Sequence, residues 1–279
     1  TEAGNVASGT LVWQTISAQL GAFGWVQKAD TGQVNLNGAL VYAKYDVGYS
    51  VGYQIWGLGD ALQATSPFYM RVDFGTVSQV AVGIWVTFGT STDGAGTIGG
   101  QKSSLMAVAS AGEYTTLQNC YFSGATNRFG FNLFDGPTQY DNVMLSVERT
   151  KSAAGVDTGD GLVIATRGSY TLTVSQVITT AAVGPIGDAQ PYFLAALNIQ
   201  QNSMATQAKV GFAYIVPFNG IPFNPGLGLL LYQTSDFPQY TVQSLAMYDG
   251  LNHNYLVCTP NSLSPCFGIA NVHMLLRYE

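Results

Sequence analysis

Phe68-Tyr69-Met70-Arg71-Val72-Asp73-Phe74 alternates without a break: Phe68, Met70, Val72 and Phe74 fall on one side of an extended chain, Tyr69, Arg71 and Asp73 on the other. A period of two over seven residues is the signature of a strand with one face in an apolar core. Gly75 is the expected end of that strand. After a short turn, Val82-Gly83-Ile84-Trp85-Val86-Thr87-Phe88 repeats the pattern, with Val82, Ile84, Val86 and Phe88 inward. The two segments predict an antiparallel pair. Tyr69 and Trp85, opposite the aliphatic stripe, are expected to face a partner.

The same rhythm runs outward from this pair. Alternation recurs at Phe129–Leu133, Val143–Arg149 and Tyr170–Val174. Further strands are expected at Leu40–Tyr45, Ala208–Ile215, Gly228–Gln233, Tyr240–Met247 and Ala270–Tyr278. Turn chemistry separates them. Asp135-Gly136-Pro137 pre-sets a turn, and Gly89–Gly100, with five glycines and one charge, reads as an exposed connection. Helical periodicity is weak, the best windows being Leu11–Leu20 and Phe193–Gln201, both without strong caps. Many short strands with dense punctuation predict an all-β chain, an antiparallel β-sandwich or jelly roll with little helix. Residues 1–35 are less regular and are expected to be an N-terminal arm or docking segment. Residues 36–279 form the sandwich domain, with a subdivision near 165–190.

Composition narrows the class of function. Of 279 residues, 47% are hydrophobic and only 9% charged, against about 25% charged in an ordinary soluble domain. The 14 Phe, 16 Tyr and 4 Trp exclude a disordered tail, and the shortage of Glu and Lys excludes a coiled coil. A net charge of −6 gives no field that would draw the chain to phosphate backbones, so no nucleic-acid partner is expected. No apolar window is long enough for a membrane-spanning helix, and the usual charged lumen of an outer-membrane barrel is hard to build from only 26 charges, so no membrane insertion is expected. Thr1-Glu2-Ala3-Gly4-Asn5 lacks the basic start of a secretory signal, which was either removed or never used. Cys120, Cys258 and Cys266 show no metal-ligand spacing; Cys258 and Cys266 can close a small loop or lie as buried thiols.

Catalytic patterns are sparse. Gly48-Tyr49-Ser50-Val51-Gly52 matches G-x-S-x-G, the nucleophile elbow of α/β-hydrolases, with Asp236 or Asp249 ahead of His253 or His273 in chain order. An elbow needs a helix after it, and the glycine-rich Tyr53–Gly59 is a poor helix start, so Ser50 reads better as part of a bent strand. His253 lies in a polar Asn-His-Asn turn and His273 in an apolar strand, with no second His at ligand spacing for zinc. Asp157-Thr158-Gly159-Asp160-Gly161 offers oxygens like part of a calcium loop, making Asp157 and Asp160 weak calcium candidates, but the terminal bidentate Glu is absent. Asp73 and Glu148 are the best carboxylate pair for glycoside hydrolysis, yet Arg71 and Arg149 offer each a structural ion pair. Gly94-Ala95-Gly96 lacks the Gly-Lys-Ser/Thr of a phosphate loop. No catalytic residue, resident metal or cofactor is expected. Asp93, Asn127, Asp157 and Asp160 are expected on a polar edge. The wealth of Tyr, Phe, Gln, Asn and Thr suits subunit interfaces or glycan stacking, and a chain this poor in charge is expected in an obligate assembly.

Several stretches in order resemble tailed-bacteriophage virion structural proteins of the tail-fibre, spike or decoration type. They are Ser66–Gly75, Ile84–Thr90, Thr92–Thr97, Cys120–Gly124, Asn127–Phe131, Glu148–Lys151, Asp157–Gly161, Val216–Gly220 and Asn224–Gly228, within roughly residues 66–162 and 208–230. The resemblance implies a virion component assembled in the host cytoplasm and supplies no catalytic residues. Combined with the composition, it gives the expectation of a non-enzymatic protein on the particle exterior. A tail-fibre, spike or tail-tip role in assembly and host attachment is favoured over capsid decoration or a head fibre. The expected partners are further copies of the chain, with a trimer favoured, other virion proteins, and a host-surface glycan. The enzymatic alternative is a surface-polysaccharide esterase using Ser50.

Overall fold

The computed structural model describes residues 15–30, 43–45, 48–77, 81–102, 106–110, 117–135, 142–152, 156–167, 171–178, 183–185, 229–233, 241–246, 251–257 and 272–278. The fold is all-β and antiparallel, as the alternation predicts. After a helix at residues 15–22 come β1 (Val26–Asp30), β2 (Ala43–Tyr45), β3 (Gly48–Gly57), a 3-10 turn (Ala61–Ala64), β4 (Tyr69–Val77), β5 (Ala81–Thr92), β6 (Ile98–Lys102) and β7 (Met106–Ser110). These strands form a seven-stranded sheet in the order β1-β3-β4-β5-β6, with β2 also on β3 and β7 also on β5. The second sheet follows in β8 (Leu117–Ala125), β9 (Arg128–Asp135), β10 (Asn142–Lys151), β11 (Asp157–Arg167), β12 (Thr171–Ile178) and β13 (Val183–Pro185), each paired with its predecessor. A third sheet has the order β14-β17-β16-β15, from β14 (Leu229–Gln233), β15 (Val242–Ala246), β16 (Asn252–Val257) and β17 (Val272–Arg277).

The deciding stretch takes the role its alternation predicts. Phe68, Met70, Val72 and Phe74 are buried, and β4 meets β5 with Met70 opposite Phe88, Val72 opposite Val86 and Phe74 opposite Ile84. The strand continues past Gly75 to Val77, since glycine inside a paired antiparallel strand keeps its ladder hydrogen bonds. These side chains share one apolar cluster with Phe129, Phe131, Leu145, Val147 and Val163 of the second sheet. Phe68 stacks on Phe88 with ring centroids 5.6 Å apart, and Phe129 meets Phe131 edge-on at 6.0 Å. Gly161 lets the second sheet approach: a Cβ there would sit 2.3 Å from the Phe68 ring. The opposite face of the second sheet meets the third, where Leu256 and Leu276 cluster with Tyr121 and Leu276 lies against Gly130.

Two expectations need correction. Residues 15–30 are not an arm: Ile16, Leu20 and Trp25 lie in the main cluster, β1 pairs with β3, and the Trp25 indole N–H donates to the carbonyls of Ala125 (3.1 Å) and Arg128 (3.2 Å). The helix falls largely within the Leu11–Leu20 window that the sequence marks, and the irregular pattern after it reflects the switch to a short strand, β1. Gly59 secures the junction, because a Cβ on it would come 1.9 Å from the Gly24 carbonyl oxygen. The connection expected over Gly89–Gly100 shrinks to a tight turn at 93–97, the flanking residues being paired in β5 and β6. Among the described residues near the subdivision expected at 165–190, β11, β12 and β13 continue one sheet. The strand expected at Ala208–Ile215, the helical window at Phe193–Gln201, the turn glycine and proline at 136–137, and Cys258 and Cys266 lie outside the described residues.

Removing residues 1–30 is therefore expected to abolish cooperative unfolding, whereas a docking arm would leave the denaturation midpoint unchanged. Trp25→Ala, measured by urea denaturation, is expected to cost about 3–5 kcal/mol as a buried aromatic truncation.

Candidate functional site

The residues singled out on the first sheet gather around Arg71. Arg71 and Asp73 project from β4 on the face opposite the aliphatic stripe. The guanidinium grips the Asp73 carboxylate through Nε (2.9 Å) and Nη2 (2.7 Å). A bidentate fork of this kind is the strong form of such a pair, and it compensates for a carboxylate that is 1% exposed. The Arg71 guanidinium also lies 4.2 Å above the Tyr53 ring, and its Nη1 donates to the Gly96 carbonyl at 2.5 Å. Tyr53 donates its hydroxyl proton to the Ala95 carbonyl at 2.9 Å, so the 93–97 turn folds back over this face. The turn holds itself together through Asp93, whose carboxylate accepts the N–H groups of Ala95 and Thr97 at 2.8 Å each. Those two bonds, Ala95 first, hold the Asp93 carboxyl below the usual 3.8. Gly96 permits the fold-back with φ +123°, a conformation that side chains with a Cβ rarely adopt.

Trp85 does not face a partner. It stands opposite Asp73 in register and is 1% exposed, with Ile55 and Ile98 buried as well. Alternation identifies two faces of a strand but does not say whether the second is covered, and here it is. Tyr69 is half-buried, with its ring close to Gly57 and Gln63 near the same point.

The second group lies where the two larger sheets meet. Arg149 continues the inward stripe of Leu145 and Val147 on β10, and its side chain is fully buried. It does not pair with Glu148, as the sequence suggested. Its Nε binds Asp60 Oδ2 at 2.9 Å and its Nη2 binds Asp60 Oδ1 at 3.2 Å. Nη1 donates to the Gly159 carbonyl at 2.9 Å, and the Arg149 backbone N–H donates to the Asn127 carbonyl at 3.0 Å. Glu148, one residue away on an extended strand, points to the opposite face, opposite Arg128 in register. Asp73 and Glu148 thus belong to different sheets and form no glycosidase pair.

Asn127 and Asp157 are brought together, with the Asn127 amide donating to Asp157 Oδ2 at 2.5 Å. Asp157 also takes the ammonium of Lys151, its cross-strand partner. The calcium reading of Asp157 and Asp160 is not supported by this geometry: residues 157–161 belong to β11, both Asp157 oxygens are engaged, and the Asp160 N–H donates to Thr158 Oγ1 at 3.2 Å. No group of three or more metal-ligating side chains occurs among the described residues. Ser50 sits inside β3, paired with Ala43 on one side and Gly75 on the other, so the strand-turn-helix context of an elbow is missing there. His253 lies within β16 rather than a turn, and its Nδ1 is 2.9 Å from Arg277 Nη2.

Sequence reasoning missed the Arg149–Asp60 connection. Its one signal is an arginine in register with an apolar stripe, which requires a buried acid without saying where the acid lies.

Asp60→Ala leaves a fully buried guanidinium uncompensated and is expected to cost about 3–5 kcal/mol in urea denaturation. The depressed Asp93 carboxyl stabilises its turn above the ordinary carboxyl range, and that contribution fades as pH falls through the lower folded value. NMR titration is expected to show an Asp93 midpoint below 3.8, with the Ala95 and Thr97 amide shifts moving at the same pH. A midpoint at or above the ordinary value would contradict the turn.

Compared with protein-family models, with curated proteins and with solved structures, the chain matches none.

Proposed function

We propose that the chain is a non-enzymatic structural component of a tailed-bacteriophage particle. In this reading it acts on the particle exterior as a homo-oligomeric tail-fibre, spike or tail-tip protein that contributes to assembly and host attachment. The observation that carries this reading is an antiparallel β scaffold made with only 9% charged residues. So little charge suits a surface that is largely covered by other subunits. The shared cluster of the two larger sheets fits a β-sandwich, an architecture that presents loops and edges while its core stays rigid. The arginines and the carboxylates of Asp60 and Asp73 are engaged in ion pairs, and Ser50 lies within a paired strand, which favours a structural role over an esterase. The resemblance of residues 66–162 to virion proteins points the same way. The other partners in this reading are further virion proteins and a host-surface glycan.

Size exclusion coupled to light scattering tests the assembly directly. A stable trimer or larger ring is expected, and antibodies to the chain are expected to label the exterior of intact particles. A well-behaved monomer at micromolar concentration would overturn the obligate-assembly argument.

A further inference from the structure

Beside the buried Arg149, one carboxylate is shared by an amine and an amide. Asp157 receives the Lys151 ammonium on Oδ1 and the Asn127 amide on Oδ2, the latter at 2.5 Å. The three side chains come from the end of β10, the start of β11 and the turn between β8 and β9. Lys151 and Asp157 are direct cross-strand partners, and the Arg149 N–H bond to the Asn127 carbonyl fixes the turn against β10. The pair is half-buried, with Lys151 17% and Asp157 23% exposed. The hydroxyls of Thr150 and Thr158 hydrogen-bond to each other across the same two strands. An ion pair accounts for Lys151 and Asp157; it does not call for a primary amide on the second oxygen. The arrangement places a nucleophile, a proton carrier and an acyl group within one carboxylate's reach.

We propose that this is a site of spontaneous intramolecular amide formation, joining Lys151 Nζ to Asn127 Cγ. The Lys151 ammonium passes a proton to Asp157 and becomes a neutral amine with a free electron pair. Rotation of the Asn127 amide about its Cβ–Cγ bond presents Oδ1 to the protonated carboxyl, which polarises the carbonyl by general acid catalysis. The Nζ electron pair forms a bond to Cγ, and the carbonyl electrons move to Oδ1. On collapse the C=O re-forms and the Cγ–Nδ2 bond breaks, its electron pair leaving with Nδ2. Asp157 relays protons from Nζ to the departing nitrogen, which leaves as ammonium. The carboxylate is regenerated, and no oxidant, metal or cofactor enters the balance. Fixed geometry supplies the drive, since well-oriented intramolecular groups reach effective molarities of about 10⁵–10⁸ M, and escape of ammonia makes the step irreversible. The bond would tie the β8–β9 turn covalently to the end of β10, whatever the chain's role in a particle.

Intact mass of the full-length protein, followed by peptide mapping, tests this. The expected result is a mass lower by one ammonia, a branched peptide linking Asn127 to Lys151, and resistance to trypsin at Lys151. Lys151→Arg keeps the positive charge, cannot form the bond, and is expected to restore the full mass. An unmodified mass in the natural chain overturns the proposal regardless of how any variant folds. Loss of ammonia mapping to Asn127 alone, with Lys151 still cleaved, also overturns it by indicating a cyclic imide. Loss of one water with a Lys151–Asp157 link overturns the assigned pair.

Discussion

Arg149 ties the connection between β3 and β4 to the second sheet, with which it shares no hydrogen-bond ladder. Its guanidinium is fully buried, so every donor must find an acceptor or the charge becomes prohibitively expensive. Those acceptors are Asp60 and Gln63 in the connection between β3 and β4 and the Gly159 carbonyl in β11, while its backbone engages the β8–β9 turn. Phe68 seats on Gly161 close by, and Gly59 admits Gly24. The apolar cluster supplies undirected attraction. The arginine gives that attraction one alignment, because sliding either sheet would leave an uncompensated charge inside.

What the sequence disclosed follows from the range of the forces involved. Phe68–Phe74 and Val82–Phe88 are legible because alternation is a local pattern and both segments are long enough to repeat it. The face on which Trp85 lies is equally legible. Its burial is not, because burial depends on what the 93–97 turn and neighbouring segments cover. The helix at residues 15–22 falls largely within the window Leu11–Leu20 that helical periodicity marks, but its place in the core and β1 are not legible, because Trp25 acquires its carbonyl partners 100 and 103 residues away.

The polar residues tell a similar story. Asp93 lies in the glycine-rich stretch expected to be a connection, and its Asx geometry needs only the next few residues. Arg71 and Asp73 lie two apart on one strand, so their pairing is foreseeable from spacing alone. Glu148 and Arg149 are adjacent and therefore cannot share a face of a strand; the true partner of Arg149 lies 89 residues earlier, beyond any local pattern. The Asp157–Gly161 run has the composition of an ion-binding loop, but pairing with β10 draws it into a strand and gives Asp157 its own lysine.

The distances along the chain also set an order for synthesis. The first sheet is made of neighbouring strands and its described strands are complete when Ser110 has emerged, yet its apolar face then has only Ile16, Leu20 and Trp25 to lie on. Phe129, Phe131, Leu145, Val147 and Val163 arrive later, and Asp60 waits for Arg149. The nascent chain therefore carries an open apolar sheet until most of the second sheet has left the ribosome. Closing such long loops makes folding slow for the chain's size. During that interval the exposed stripe of β4 and β5 is the surface most prone to associate with other chains before its own second sheet covers it.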